Sequence, residues 1–275
     1  MSSIDWYTKY MDGFNGEKVA GRIVDWIRSW FDENGKGCNA VIGISGGKDS
    51  TVAAALCAQA LGSKKVFGVL MPQDTQLDIN DSEDIVKFLG INRLYFNIGC
   101  TCDMIADNVD LELAGGREYI TETSSILREH EAFGRISKQA LINLPPRIRM
   151  ATLYAFSQSL NGRVVNTCNL SEDYVGYATR WGDSCGDFAP LKSLTTDEVI
   201  AVGRALGIPE RFLVKAPADG LCGKTDEENL GFTYRTLNKY IRLGEISDKD
   251  VMAKIDNLHK INSFKERTID RFVLE

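Results

Sequence analysis

The sequence predicts an α/β fold: an open parallel β-sheet flanked by helices, with further helices at the C-terminal end. Three observations carry this. Short apolar runs alternate with segments of helical period, a glycine turn joins the first such run to an alanine-rich helix, and the composition is that of a globular domain, 44% hydrophobic and 25% charged over 275 residues. At roughly 100–200 residues per domain, and because α/β folds often use this much chain in one unit, a single domain over residues 1–275 is expected.

Val19, Ile23, Trp26, Ile27, Trp30 and Phe31 recur at helical spacing and stop at Gly35, which predicts an amphipathic helix over about 17–33. Ala40–Ile44 reads as a strand, Ser45-Gly46-Gly47 as a break, and Asp49–Leu61 as a helix ended by Gly62. The unit repeats with a strand at Val66–Leu70, a helix over 81–89 ended by Gly90, a strand at Leu94–Ile98 and a helix over 101–114. Residues 115–142 are charged and poorly periodic and read as a mobile excursion that includes His130. A helix is expected to begin after Pro145-Pro146, because the first turn has no intrahelical use for the missing N–H, and to run to about Leu160. Arg163–Thr167 is the next strand. A long Gly/Asp-rich stretch to Asp187 follows, then a helix near 196–206, a loop over 214–231 and helices near 233–243 and 248–260.

The formal net charge is −6, from 32 Lys+Arg against 38 Asp+Glu, so no global positive field draws in nucleic acid and a small ligand is the better default. No run approaches the ~20 apolar residues of a membrane span, and the opening Met1-Ser2-Ser3 lacks the order of a secretion signal, which points to the cytoplasm. Seven scattered cysteines without a C-x-x-C pair, and only two histidines, His130 and His259, argue against a disulfide framework or a zinc site. The cysteines read as packing residues.

The chemistry concentrates in Gly43-Ile44-Ser45-Gly46-Gly47-Lys48-Asp49-Ser50, where the first strand turns into a helix. Glycines let backbone N–H groups approach an anion, Ser45 and Ser50 add hydroxyls, and the helix N-terminus adds partial positive charge. The spacing is not that of a Walker A loop, which requires Gly at 42 and Ser or Thr at 49, nor that of a dinucleotide fingerprint. Asp49 would repel a phosphate unless a divalent cation bridged them, so the aspartate argues for Mg²⁺. The plain alternative is a helix cap with a tight turn.

Ser45–Ser50 resembles the PP-loop of the N-type ATP pyrophosphatases, which cleave ATP between its α- and β-phosphates. Downstream, Pro146–Met150, Asn169–Tyr177, Thr179–Asp183, Gly186–Leu191, Asp219–Glu227 and Leu230–Tyr234 resemble motifs of the ammonia-dependent NAD synthetases, and these blocks cover most of residues 40–265. The resemblance implies an adenine nucleotide alpha hydrolase-like, Rossmann-like sheet and an amide-forming ligase acting in the final step of NAD biosynthesis. The nicotinate carboxylate of deamido-NAD would attack the α-phosphorus of ATP, and ammonia would then displace AMP. Gly43 to Ser50 and Thr167 would contact ATP, Asp49 and Glu172 would hold Mg²⁺, and Arg147, Arg180, Asp187 and Lys265 would contact deamido-NAD. Asp49, with Lys48 in a supporting role, would be catalytic. The segments become a helical part (1–39), a PP-loop half (40–114), the excursion (115–142), the substrate and metal motifs (143–232) and C-terminal helices (233–275). A homodimer with the substrate site at its interface is also implied.

Three positions depart from the family pattern: a lysine is replaced by Thr196, with Lys192 a nearby candidate for its charge, a hydroxyl residue by Ala218, and a His-Lys pair by Phe264-Lys265. His259-Lys260, one helical turn early, reads as a decoy. The ~40 residues before Ile42 are too few for an amidase domain, so free ammonia or a separate glutaminase is expected to supply nitrogen. Residue by residue the plain readings stand beside these: Arg147 and Arg149 as a solvated helix face, Glu172 as a surface acid, Asp187 as a turn cap. Two other functions fit the loop. A tRNA-thiolating enzyme using Cys100, Cys102 or Cys185 is disfavoured by the acidic balance, and a non-catalytic nucleotide sensor by the retained Asp49 and Glu172.

Overall fold

The computed structural model describes residues 6–76, 78–115, 133–214, 225–244, 246–267, 269 and 271–272. Four parallel strands form one sheet in the order β3-β2-β1-β4: β1 (Asn39–Gly43), β2 (Val66–Leu70), β3 (Asn92–Tyr95) and β4 (Gly162–Val164). Ala40 stands opposite Val66 on one side and Arg163 on the other. The chain steps outward from β1 through β2 to β3 and returns to the other side of β1 as β4. That reversal makes the carboxyl ends of β1 and β4 the crevice where open α/β sheets bind ligands.

Alternating residues of the central strands bury into two layers, as a sheet covered on both faces requires. Ala40, Ile42, Val66 and Leu70 pack with α2 (Gly16–Asn34), α3 (Lys48–Leu61), α4 (Ile79–Leu89) and α8 (Thr196–Ala205). Val41, Val69 and Val164 pack with Ile98 and with α5 (Gly99–Leu113) and α6 (Lys138–Ser159). A third cluster, Val175, Leu230, Phe232, Tyr234, Leu237, Ile246 and Ile255, joins α7 (Leu170–Val175), α10 (Asp226–Leu230), α11 (Tyr234–Leu243) and α12 (Lys249–Asn262). Two further helices are α1 (Trp6–Asp12) and α9 (Glu210–Leu213). Among the described residues no helix is long and apolar enough to cross a membrane.

Several sequence expectations need correction. The helix expected after Pro145-Pro146 begins at Lys138, and both prolines lie inside it. Ser137 starts it early, its Oγ accepting the N–H of Ala140 at 3.1 Å. An interior proline costs about 3 kcal/mol or more, which the burial of Pro145, Met150 and Leu153 offsets. The excursion over 115–142 is therefore helical from Lys138 onward, while 116–132, with His130, lies outside the described residues. The third strand sits two residues early, and the fourth is shorter than expected, continuing only as a bridge between Val165 and Phe188. The stretch to Asp187 contains α7, and the loop over 214–231 contains α10.

Candidate active site

The β1–α3 turn is shaped by its own hydroxyls. Gly46 has φ +86°, a left-handed conformation that favours glycine, and a Cβ there would come within 3.3 Å of both Asp81 and Ser82 of α4. Gly47 N–H donates to Ser45 Oγ at 3.3 Å, the Ser45 and Ser50 hydroxyls lie 3.1 Å apart, and Thr51 Oγ1 donates to the Gly47 carbonyl at 2.7 Å. No side chain caps α3. Its first-turn N–H groups are therefore available to an anion, together with the positive end of a fourteen-residue helix dipole. Gly43 and Ile44 lead into this turn, and Gly43 is packed closely enough that a Cβ would lie 3.2 Å from Met71.

Asp49 and Glu172 come from segments 123 positions apart in the chain and meet behind this turn. Asn169 connects them. It caps α7, its Oδ1 accepting the N–H groups of Ser171 (3.0 Å) and Glu172 (3.1 Å), while Glu172 Oε2 accepts the Asn169 N–H at 3.3 Å. Its remaining Nδ2 donates to Asp49 Oδ1 at 3.0 Å. Burial, and then the Asp49 carboxylate, push Glu172 well above the usual carboxylate range.

The other Asp49 oxygen, Oδ2, receives Lys48 Nζ at 2.9 Å. Burial alone would lower the Lys48 pKa, but Asp49, Glu172 and Asp226 around it hold it above the ordinary value. The ammonium also lies 5.9 Å from the ring centre of Tyr234, whose hydroxyl donates to Asp226 Oδ2 at 3.3 Å. Two carboxylates in one enclosed site suit Mg²⁺, which takes one or two protein carboxylates and completes its shell with phosphate and water. Among the described residues no group of three or more His, Cys, Asp and Glu side chains forms a cage that would need no phosphate.

Thr167 is half-buried just beyond β4, on the crevice side of the sheet reversal. Arg147, Arg180 and Lys265 gather at one place: Arg147 Nε donates to the Arg180 carbonyl at 3.4 Å, the Arg180 guanidinium lies over Trp181 and Phe264, and Lys265 Nζ donates to the carbonyls of Gly176 (2.7 Å) and Ala178 (3.2 Å). Asp187 is not tied to them. Its Oδ2 accepts the Val164 N–H at 2.7 Å and its Oδ1 the Tyr154 hydroxyl at 3.3 Å, so it caps the edge of β4. Arg149 is not a solvated helix residue either, since its Nε donates to the Met71 carbonyl at 3.0 Å.

Two of the three departures from the family pattern, Thr196 and Phe264, fall on described residues. Thr196 is buried at the start of α8, where its N–H donates to Ser171 Oγ at 3.1 Å. Lys192 is committed to an ion pair with Asp173 (3.2 Å) and Glu266 (2.5 Å). Ala218 lies outside the described residues. Sequence reasoning gave no role to Asn169, Asp226 or Tyr234. The Asn169-x-x-Glu172 spacing is a capping-box signal that marks the first of them, whereas nothing local marks the other two as neighbours of Lys48. All described cysteines are free thiols, with Cys100 exposed, Cys185 half-buried and the rest buried.

The family model for NAD synthase matches residues 19–273. The NH3-dependent NAD+ synthetase of Pyrococcus furiosus is 34% identical over 93% of this chain and 88% of its own length. Among solved structures, the NMN synthetase of Francisella tularensis superposes with a TM-score of 0.78 at 26% identity, over 95% of this chain and all of that one. The NH3-dependent NAD synthetase of Campylobacter jejuni superposes at 0.69, also with 26% identity and the same coverage.

Proposed function

Since this chain belongs to the NAD synthase family, we propose that it makes the carboxamide of NAD from deamido-NAD, ATP and ammonia, in the cytoplasm. The observation that carries this reading is the meeting of an uncapped phosphate loop with two carboxylates, Asp49 and Glu172, at the reversal point of a parallel sheet. A carboxylate cannot be amidated directly because its oxygen is a poor leaving group. Its oxygen therefore attacks the α-phosphorus of ATP and diphosphate departs; ammonia then attacks the acyl carbon, loses a proton, and AMP leaves with the C–O electron pair.

Such chemistry depends on holding oxygen and phosphorus in line and on neutralising phosphate charge. Ser45, Gly46, Gly47 and Ser50 cradle the phosphates, with Gly43, Ile44 and Thr167 lining the approach. Asp49 and Glu172 would hold Mg²⁺, which when bound neutralises the phosphate oxygens. Arg147, Arg180 and Lys265 present positive charge to the phosphates and carboxylate of deamido-NAD, and Asp187, whose oxygens already accept from Val164 and Tyr154, would take its hydroxyls on their second lone pairs. Exposed Phe96, Met104, Val109 and Leu141, on the β3, α5 and α6 side of the sheet, support a homodimer formed on that face.

Incubation with ATP, Mg²⁺, deamido-NAD and ammonium is expected to give NAD and AMP in equal amounts, and glutamine in place of ammonium to give neither. ATP turnover without NAD would overturn the assignment. The higher superposition on an NMN synthetase favours a second reading, in which the acid is the mononucleotide. The two acids compete in one reaction mixture, and the larger kcat/KM names the substrate; the identities of 34–37% to curated NH3-dependent NAD+ synthetases favour the dinucleotide.

A further inference from the structure

We propose that Lys48 is a tethered counter-ion of the metal-binding carboxylates: in the nucleotide-free protein its ammonium occupies the place of a divalent cation against Asp49, and it leaves when metal arrives with ATP. The inference rests on the reading of Asp49 and Glu172 as the metal pair.

Lys48 is an odd residue for its position. It is the first residue of α3, where the helix dipole disfavours a cation, and its side chain is only 8% exposed, where a charge is costly without a partner. What holds it there is the acidic group formed by Asp49, Glu172 and Asp226, with the face of Tyr234 beside it. Without a cation, Asp49 and Glu172 would repel each other across a site withdrawn from water.

Both oxygens of Asp49 are already in use, Oδ1 by Asn169 and Oδ2 by Lys48. Each oxygen keeps a second lone pair, but a divalent ion that ligates Asp49 repels the ammonium beside it and not the neutral amide of Asn169, so it competes with Lys48. Asn169 is fixed by the cap of α7, where it makes three further hydrogen bonds. Lys48 is an ammonium on a flexible four-carbon stem, and ATP phosphates at the loop offer it a new anionic partner. Lys48 is thus the one that yields. Free metal, which brings no such partner, must displace the ammonium unaided and binds poorly.

Titration of the nucleotide-free protein with Mn²⁺, followed by electron paramagnetic resonance, tests this. Lys48→Met keeps an unbranched side chain without charge and is expected to bind Mn²⁺ at least tenfold more tightly than the wild type, whereas Lys48→Arg stays like the wild type. Lys48→Gln serves where the methionine variant does not fold. Equal Mn²⁺ affinity in the wild type and the uncharged variant overturns the proposal. The underlying reading has its own test: Glu172→Gln is expected to weaken binding of Mn²⁺·ATP at least tenfold. If it does and Lys48→Met shows no gain, the metal pair stands and the counter-ion inference falls. If Glu172→Gln binds Mn²⁺·ATP like the wild type, both fall.

Discussion

Asp49 stands on a fourteen-residue helix buried from Lys48 to Cys57 apart from Asp49 itself, whereas Glu172 stands on a six-residue helix that is too short to be stable alone. The first is positioned by the core: Val52, Ala53, Ala54, Leu56 and Cys57 of α3 are buried against the sheet, α2 and α8. The second is positioned by hydrogen bonds from far along the chain. His259 Nδ1, which carries the ring proton because a carbonyl can only accept, donates to Tyr174 O at 2.8 Å, and Asn262 Nδ2 donates to Val175 O at 2.9 Å. Lys265 then takes the carbonyls of Gly176 and Ala178, and Lys192 ties Asp173 to Glu266. One carboxylate is thus part of a rigid layer, and the other is set by a clamp that can be loosened without opening the core.

This contrast yields a ranked set of expectations. Asp49→Asn keeps the shape of α3 but removes a carboxylate of the proposed metal pair, and should lower kcat/KM for AMP release by about 100- to 1,000-fold. It also leaves the buried Lys48 ammonium without its ion-pair partner, so a lowered melting temperature is expected that Lys48→Met in the same chain restores while turnover stays low. Full recovery of turnover in that double variant would mean that Asp49 is only structural. Leu56→Ala, within the fully buried layer, should cost about 2–5 kcal/mol in denaturant unfolding while leaving the Mg²⁺ dependence of turnover in place. Asn169→Ala removes both the α7 cap and the bond to Asp49, so about a 10- to 100-fold loss in apparent Mg²⁺ affinity is expected, together with faster amide exchange in α7. The smallest effect belongs to Asn262→Ala: about 1 kcal/mol, expected as faster exchange over residues 170–176 with no change in α3. Exchange that quickened equally in both helices would dissolve the distinction between layer and clamp.

The same contrast governs what could be read from the sequence. The region around Asp49 was legible because its causes are local: an apolar run, a glycine turn and an alanine-rich helix within about 20 residues. The strands at Ala40 and Val66 and the helices at 17–33 and 49–61 fall where periodicity puts them. The region around Glu172 has distant causes. α7 is too short for a periodic signal, and α6 runs through two prolines because packing and the Ser137 cap outweigh the local penalty. Motif resemblance named Glu172, Arg180 and Lys265 there. It could not say that Asn169 joins Glu172 to Asp49, or that Lys48 lies against Asp226 and Tyr234, since those contacts exist only once the sheet has brought the segments together. His259, a decoy for the substrate contact by its spacing, has a different task in the structure, stacked on Tyr174 with centroids 4.2 Å apart.

The C-terminal clamp addresses main-chain carbonyls, and every residue type carries one. The bonds from His259, Asn262 and Lys265 are therefore indifferent to the side chains they pass, and sequence constraint on α7 comes from its other contacts: Ser171 with Asn238, Asp173 with Lys192, and Val175 in the third cluster. The exception is Gly176, where φ is +66° and any Cβ would stand 2.2 Å from that of Asn262. At that position the constraint comes from the backbone and not from a side-chain partner: the clamp needs no particular side chain there, only the absence of one.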